Sequence, residues 1–329
     1  MVFIITEGGV NTGIGHITRC TSLYQAFEEK GKVPEFIVNG DKAAKELLID
    51  KRCRIFNWLE DWDRLISFIK DADIVIADSY LADFELYEKI SGMIKVPVYI
   101  DDIKRLDYPK GIIINGAIYA EEINYPQKAD ITYLLGSQYI SLRKAFWEVT
   151  NKKIKEHIES IMVTFGGDDM RSMTPRVLGL LVRDYSELTK NVIIGMGFQN
   201  IKEIEGITDK KTNLIYAPDA EEMKRIMLES DAAISAGGQT LYELARVGIP
   251  TIAVAVADNQ MNNIKGWQRA GFIEYAGWWE EVDLIYKVQK AMLKLKGRQT
   301  REQMSQTGKR LVDGQGARRV ADKIIEASQ

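Results

Sequence analysis

The run Gly13-Ile14-Gly15-His16, with Arg19 one helical turn later, places a titratable imidazole on a glycine-rich turn. It follows a short apolar strand, Val2 to Ile5, and a polar loop, Thr6 to Thr12, and it opens a helix-like run from Ile17 to Glu29. Such a turn lets backbone N–H groups and a helix N-terminus approach a phosphate or another anion, here around Gly13, Gly15 and Arg19. His16 is one of two histidines in the chain. An imidazole titrates near neutral pH and suits the work of a general base. A lone histidine can also cap a helix or pack in a core. The glycines before it and the arginine after it favour the functional reading.

Asp78-Ser79-Tyr80 follows the apolar run Ile74–Ala77. Asp78 either orients His16 and raises its basicity or caps the next helix, and Tyr80 can donate to a sugar or phosphate oxygen. Asp101 and Asp102 are adjacent carboxylates. Successive strand residues face opposite ways, so the two are not expected to share one ion. With a single histidine in this region and no His/Cys cluster, neither a zinc site nor a cofactor is expected, and nothing demands magnesium.

In the second half, Ser235-Ala236-Gly237-Gly238-Gln239-Thr240 leads from a strand into a helix with Glu243 in its first turn. Gly237, Gly238, Gln239 and Thr240 make a candidate diphosphate site. Glu243 either accepts hydrogen bonds from ribose hydroxyls or closes a capping box with Thr240. Asn259 and Gln260, in Asp258-Asn259-Gln260, should sit beside the same pocket. A second turn, Gly166-Gly167-Asp168-Asp169, lacks the lysine of a P-loop. Its carboxylates either bind sugar hydroxyls or cap the following helix.

Positioning these loops requires strands that end beneath them. Short β-branched runs alternate with amphipathic segments through most of the chain, which predicts βα units around parallel sheets. Strands are expected at Val2–Ile5, Glu35–Val38, Arg54–Phe56, Ile74–Ala77, Val98–Ile100, Ile112–Ile114 and Ile131–Leu134. The charged stretch Glu148 to Glu159, which contains the other histidine, His157, marks a boundary between a domain of residues 1–150 and one of residues 151–329. The pattern then restarts at Ile161–Phe165 and continues through Asn191–Ile194, Asn213–Tyr216, Ala232–Ser235 and Thr251–Ala255. The last fifty or so residues read as mainly helical, Gly314-Gln315-Gly316 introducing the final helix. Two such domains in tandem predict a cleft facing the C-terminal ends of both sheets.

The chain has 329 residues, 46% hydrophobic and 28% charged, with a net charge of −3. That is a globular profile with no electrostatic call for nucleic acid. Two cysteines without metal-ligand spacing, no basic leader and no long apolar run lead to the expectation of a cytoplasmic protein without stable membrane insertion, monomeric or weakly homo-oligomeric.

Taken in order, Gly13-Ile14-Gly15-His16 with Arg19, Asp78-Ser79-Tyr80, Ile100-Asp101-Asp102 and Ile114-Asn115-Gly116-Ala117 with Tyr119 form a recognisable series. It continues with Gly166-Gly167-Asp168, Ser235-Ala236-Gly237-Gly238, Glu243 and Asn259-Gln260. In these the chain resembles the UDP-2,4-diacetamido-2,4,6-trideoxy-β-L-altropyranose hydrolase family of pseudaminic acid biosynthesis and the related spore-coat polysaccharide proteins. Its wider relatives are GT-B glycosyltransferases such as the lipid II N-acetylglucosamine transferase. The resemblance implies an α/β, GT-B-like fold of two Rossmann-like domains facing a cleft. It implies that His16 activates water for inverting attack at the anomeric carbon of a UDP-sugar, with Tyr80 near the sugar and diphosphate. Gly237, Gly238, Gln239 and Thr240 would then hold the diphosphate, Glu243 the ribose, Asn259 the ligand's polar edge, and the Tyr216-Ala217 turn the uracil. The alternatives are a GT-B transferase using a UDP-sugar donor and a non-catalytic nucleotide-sugar-binding protein.

Overall fold

Apolar strands buried along their length alternate with helices that bury one face, and in each half of the chain this alternation closes into a parallel sheet. The computed structural model describes residues 1–9 and 13–329. Positions 10–12 of the expected Thr6–Thr12 loop therefore lie outside the described residues. The chain divides into two units, Met1–Lys144 with Gly314–Gln329, and Ala145–Asp313.

The first unit contains β1 (Val2–Gly8), α1 (Gly15–Glu29), β2 (Glu35–Gly40), α2 (Lys42–Leu47), β3 (Cys53–Ile55) and α3 (Trp62–Ile69). It continues with β4 (Ile74–Asp78), α4 (Phe84–Met93), β5 (Val96–Ile100), β6 (Gly111–Asn115) and β7 (Ile131–Leu135). Among the described residues its sheet has the order β3-β2-β1-β4-β5-β6-β7, all parallel. The order reverses between β1 and β4, where Thr6 lies beside Asp78. In open α/β sheets the loops above such a reversal splay apart and leave room for a ligand. His16 and Arg19 follow β1, Asp78 ends β4 and Ser79 and Tyr80 come directly after it, so the fold brings them to that point.

The second unit contains β8 (Ser160–Thr164), α5 (Met173–Asp184), β9 (Thr189–Ile194), α6 (Ile201–Gly206), β10 (Thr212–Tyr216), α7 (Ala220–Glu229) and β11 (Ala232–Ala236). Then come α8 (Thr240–Val247), β12 (Thr251–Ala255), α9 (Met261–Ala270), β13 (Ile273–Trp278), α10 (Leu284–Leu295) and α11 (Arg298–Leu311). Its sheet order is β10-β9-β8-β11-β12-β13, again parallel, with the reversal between β8 and β11. The Gly166–Asp169 and Gly237–Thr240 turns leave those two strands.

The final helix, α12 (Gly316–Ser328), departs from the expected boundary. Its residues fall within the expected 151–329 domain, but it packs against α1 and β5 of the first unit. Its apolar stripe, Ala317, Val320, Ala321 and Ile324, is buried there. Strand β13 was also not expected: its Gly277 and half-buried Glu274 and Tyr275 break the apolar alternation that marks the other strands. No described helix is long and apolar enough to cross a membrane.

Candidate active site

Above the β1/β4 reversal the chemistry centres on Asp78, whose side chain is fully buried. Arg19 grips it with both prongs of the guanidinium, Nε donating to Oδ2 at 2.5 Å and Nη2 to Oδ1. Arg19 Nη1 also donates to Asp102 Oδ2 at 2.6 Å. Burial alone would raise the Asp78 pKa, but the charge and hydrogen bonds of Arg19, with those of His16, outweigh it and hold the carboxyl well below the usual range. Burial likewise works against the Arg19 charge, and the two aspartates overcome it. The fully buried Cys20 thiol, pushed up by burial and then by Asp78, donates to Oδ2 at 3.4 Å.

An ionised Asp78 can only accept. Its Oδ1 lies 2.7 Å from His16 Nδ1, so that nitrogen carries the proton and the lone pair is left on Nε2. Arg19 Nη2 sits 3.1 Å from the same Nδ1, a meeting of two donors that contributes no bond in this tautomer. Of the two roles open to Asp78, the structure has it at the imidazole, because the next helix is capped by Asp83, which accepts from the Leu86 amide at 3.0 Å. His16 is mostly shielded, and the Tyr80 ring meets it edge-on at 4.6 Å between centroids. Tyr80 OH donates to Asp102 Oδ2 at 2.6 Å. Burial and then Asp102 push this phenol up, so it remains a donor.

Asp101 and Asp102 have separate roles. Asp101 is buried and takes the amides of Lys104 and Arg105 and the hydroxyls of Tyr108 and Tyr125 at 2.6–3.3 Å. Asp102 faces Arg19 and Tyr80. Sequence reasoning missed Glu7, a buried carboxylate at the end of β1. It accepts from the Tyr80 amide at 2.7 Å and from the Ser79 hydroxyl, so it sets the turn that presents Tyr80. An acid closing an otherwise apolar strand was the available signal. Gly13 (φ +75°) takes a conformation that favours glycine, and around both Gly13 and Gly15 a side chain would meet only open space.

In the second unit a hollow of about 280 Å³ opens above the β8/β11 reversal. It is lined by Gly166, Asp168, Gly238, Gln239, Thr240 and Gln260, all expected, together with residues that were not, Arg171 among them. No side chain caps α8, and its N-cap residue is Gln239, so Thr240 and Glu243 do not form a capping box at its start. No side chain accepts from the amides of its first turn, but Leu241 and Tyr242 donate to the Gly238 and Gln239 carbonyls at 3.1 and 3.0 Å. What α8 offers an anion is therefore chiefly the positive end of its dipole. The α5 N-terminus differs: Asp169 accepts from the Met173 and Thr174 amides at 2.8 and 2.9 Å and closes that end. Asp168 stays exposed.

Gly237 and Gly238 have different reasons to be glycine. A side chain on Gly237 would run into Ile264, whereas around Gly238 there is open space. Gln260 Oε1 accepts from both the Gly237 and Val256 amides at 3.1 Å and ties two loops together. Asn263, one helical turn on and missed from sequence, donates to the Gly237 carbonyl at 2.7 Å and accepts from Tyr242 OH at 2.6 Å. Five expected residues, Tyr216, Ala217, Gly237, Glu243 and Asn259, do not line the hollow. Glu243 is buried in α8, Asn259 is exposed on the turn before α9, and Tyr216 hydrogen-bonds Glu205 at 2.9 Å. Ala217, at φ +45°, has its amide on the Ile194 carbonyl at 2.8 Å, so this N–H is already taken and not offered to a base.

Residues 160–322 match the glycosyltransferase family 28 C-terminal domain. The family resemblance read from the sequence is found again among curated relatives. The chain is 24% identical to the spore coat polysaccharide biosynthesis protein SpsG of Bacillus subtilis, over 97% of this chain and 96% of that protein. It is also 24% identical to a Helicobacter pylori protein named as pseudaminic acid cytidylyltransferase and UDP-2,4-diacetamido-2,4,6-trideoxy-β-L-altropyranose hydrolase, covering 83% of this chain and 48% of that one. An uncharacterized protein of Methanocaldococcus jannaschii matches at 24% over 77% of the chain. The chain spans 55% of that archaeal relative, so it covers about half the length of two of these three proteins. In fold it resembles MurG of Acinetobacter baumannii (TM-score 0.71, 15% identity, 99% of each chain). It also resembles Phytolacca americana UGT2 complexed with UDP-2-fluoro-glucose and pterostilbene (TM-score 0.69, 11% identity, 100% of each chain). The fold is therefore GT-B-like, with two Rossmann-like parallel-sheet units.

Proposed function

We propose that this protein is a nucleotide-sugar hydrolase that releases UDP from a UDP-2,4-diacetamido-2,4,6-trideoxyhexose, in nonulosonic acid or surface polysaccharide biosynthesis. The observation that carries the reading is the His16–Asp78 pair. A buried, ionised carboxylate on Nδ1 fixes the tautomer, orients the ring and stabilises the imidazolium that would form. In the proposed step His16 Nε2 takes a proton from water as the water oxygen bonds to the anomeric carbon. The bond from that carbon to the diphosphate oxygen breaks, and UDP leaves with the electron pair, with inversion. UDP is a good leaving group, so neutralising its charge suffices on that side. The uncapped start of α8 supports assigning the diphosphate to the Gly238–Thr240 turn. Tyr80, a hydroxyl beside the imidazole, is assigned to the sugar.

The test is UDP release from the purified protein with UDP-2,4-diacetamido-2,4,6-trideoxy-β-L-altropyranose and no acceptor. The expected result is UDP and free sugar in equal amounts, with turnover falling about 10²–10⁴-fold in His16→Ala. Full turnover by the variant would exclude His16 as the base. A second reading, transfer to an acceptor hydroxyl in place of water, is favoured by the match to a glycosyltransferase domain. UDP release that begins only when an acceptor is added would select it.

A further inference from the structure

The hollow of the second unit has an uncapped helix start, but the Gly237–Thr240 turn contributes no cationic side chain. A diphosphate needs more positive charge than a helix terminus supplies, since the latter amounts to roughly half an elementary charge. Asp168 and Asp169 add negative charge to the same lining. Asp169 is neutralised in part by its hydrogen bonds to the Met173 and Thr174 amides and to Asn200 Nδ2.

Arg171 also lines the hollow, and its surroundings leave its charge intact. Its guanidinium stacks on the Trp279 ring, 4.4 Å from the centroid. Among the described residues it forms no salt bridge. A carboxylate partner would fix an arginine but cancel its charge. An aromatic face fixes it and leaves all five N–H donors for an incoming acceptor. The main chain that carries the ring is tied down, since Arg176 Nη1 donates to the Trp279 backbone carbonyl at 2.7 Å. The arginine is thus pre-positioned, charged and unpaired at the edge of an anion-sized hollow.

We propose that Arg171, held on the Trp279 ring, supplies the positive charge to the diphosphate of the nucleotide bound in this hollow. The inference rests on reading the second unit as the nucleotide site; it is independent of whether water or an acceptor attacks. Arg171 is exposed, so Arg171→Ala should leave the fold intact, which a melting curve verifies.

The experiment is calorimetric titration of UDP into the full chain, the Arg171→Ala variant and the Arg171→Lys variant at low and high salt. Expected are a loss of UDP affinity of about tenfold or more in Arg171→Ala, a smaller loss in Arg171→Lys, and a shallower salt dependence in Arg171→Ala. Equal UDP affinity in wild type and Arg171→Ala would overturn the inference and leave the hydrolase reading standing. A loss of affinity with unchanged salt dependence would mark a packing role and overturn it as well. A wild-type protein that does not bind UDP would overturn the inference and the nucleotide-site reading together. Normal Arg171-dependent binding without UDP release from the sugar nucleotide would support the inference and sink hydrolysis alone.

Discussion

A carboxylate beside a histidine helps a base only while it stays ionised, and burial works against that. Here Arg19 decides the contest: two hydrogen bonds and a full charge on Asp78 outweigh its desolvation. The same arrangement makes a pH prediction. A group whose pKa is lower folded than unfolded contributes stability that is complete above its unfolded value, about 3.9 for an aspartate. That contribution is lost as the pH falls through the depressed folded value. Urea denaturation of the first unit, followed by hydrogen exchange of β1 and β4, should therefore show stability falling as the pH drops below about 4. In Asp78→Asn, which is less stable at neutral pH because Arg19 loses its buried partner, the acid slope should be shallower. Identical slopes in the two proteins would mean that Asp78 is not the group being titrated.

At the scale of elements, each candidate site depends on strand ends and helix starts, which is why much of it was legible in the sequence. His16 and Arg19 could be read because glycines precede them at a strand-to-helix turn, and Asp78 because it ends an apolar run. Gly238, Gln239 and Thr240 were legible for the same reason. What escaped depends on the phase of one element against another. Asn263 reads as one more polar residue on an amphipathic helix until α9 is docked, when it falls beneath Gly237. Glu243 reads from sequence as a ribose acceptor or a capping-box residue, and only the rotation of α8 shows that it is buried. Asn263→Ala should leave both the Gly237 carbonyl and the Tyr242 hydroxyl without this partner. A loss of about 1–3 kcal/mol is expected for each buried group so exposed to desolvation. Thermal melting should register it, and UDP titration should register a weaker site because the Gly237–Gly238 turn is no longer pinned. Unchanged melting and unchanged UDP affinity would remove Asn263 from the positioning of that turn.

For the chain as a whole, the unexpected feature is that its last helix returns to the first unit and lies against α1, whose first turns carry His16 and Arg19. No local pattern could announce this, because the apolar stripe of α12 says that it packs and not against what. Ion pairs and apolar packing hold it, with hydrogen bonds from Arg319 to the Gln138 carbonyl and from Lys95 to the Ser328 carbonyl. Arg318 pairs with Glu29 at 2.7 Å and Lys30 with Asp322 at 2.6 Å, but these are partly or largely exposed pairs, of a class worth about 0–1 kcal/mol each. Burial of Val320 and Ile324 contributes about 1.5–3 kcal/mol for each side chain, so packing dominates. Packing also needs close approach at the start of the helix, where a side chain on Gly316 would collide with the backbone of Ile140. Gly316→Ala should therefore destabilise the first unit by about 1–3 kcal/mol, as overpacking does, while Arg318→Ala changes it far less. Hydrogen exchange resolves the prediction by location. Protection should fall in β1, α1 and β5 and stay constant in β8 and β11. An equal loss in both sets of strands, or a larger effect from Arg318→Ala than from Gly316→Ala, would refute the view that packing of this helix steadies the element carrying the proposed base.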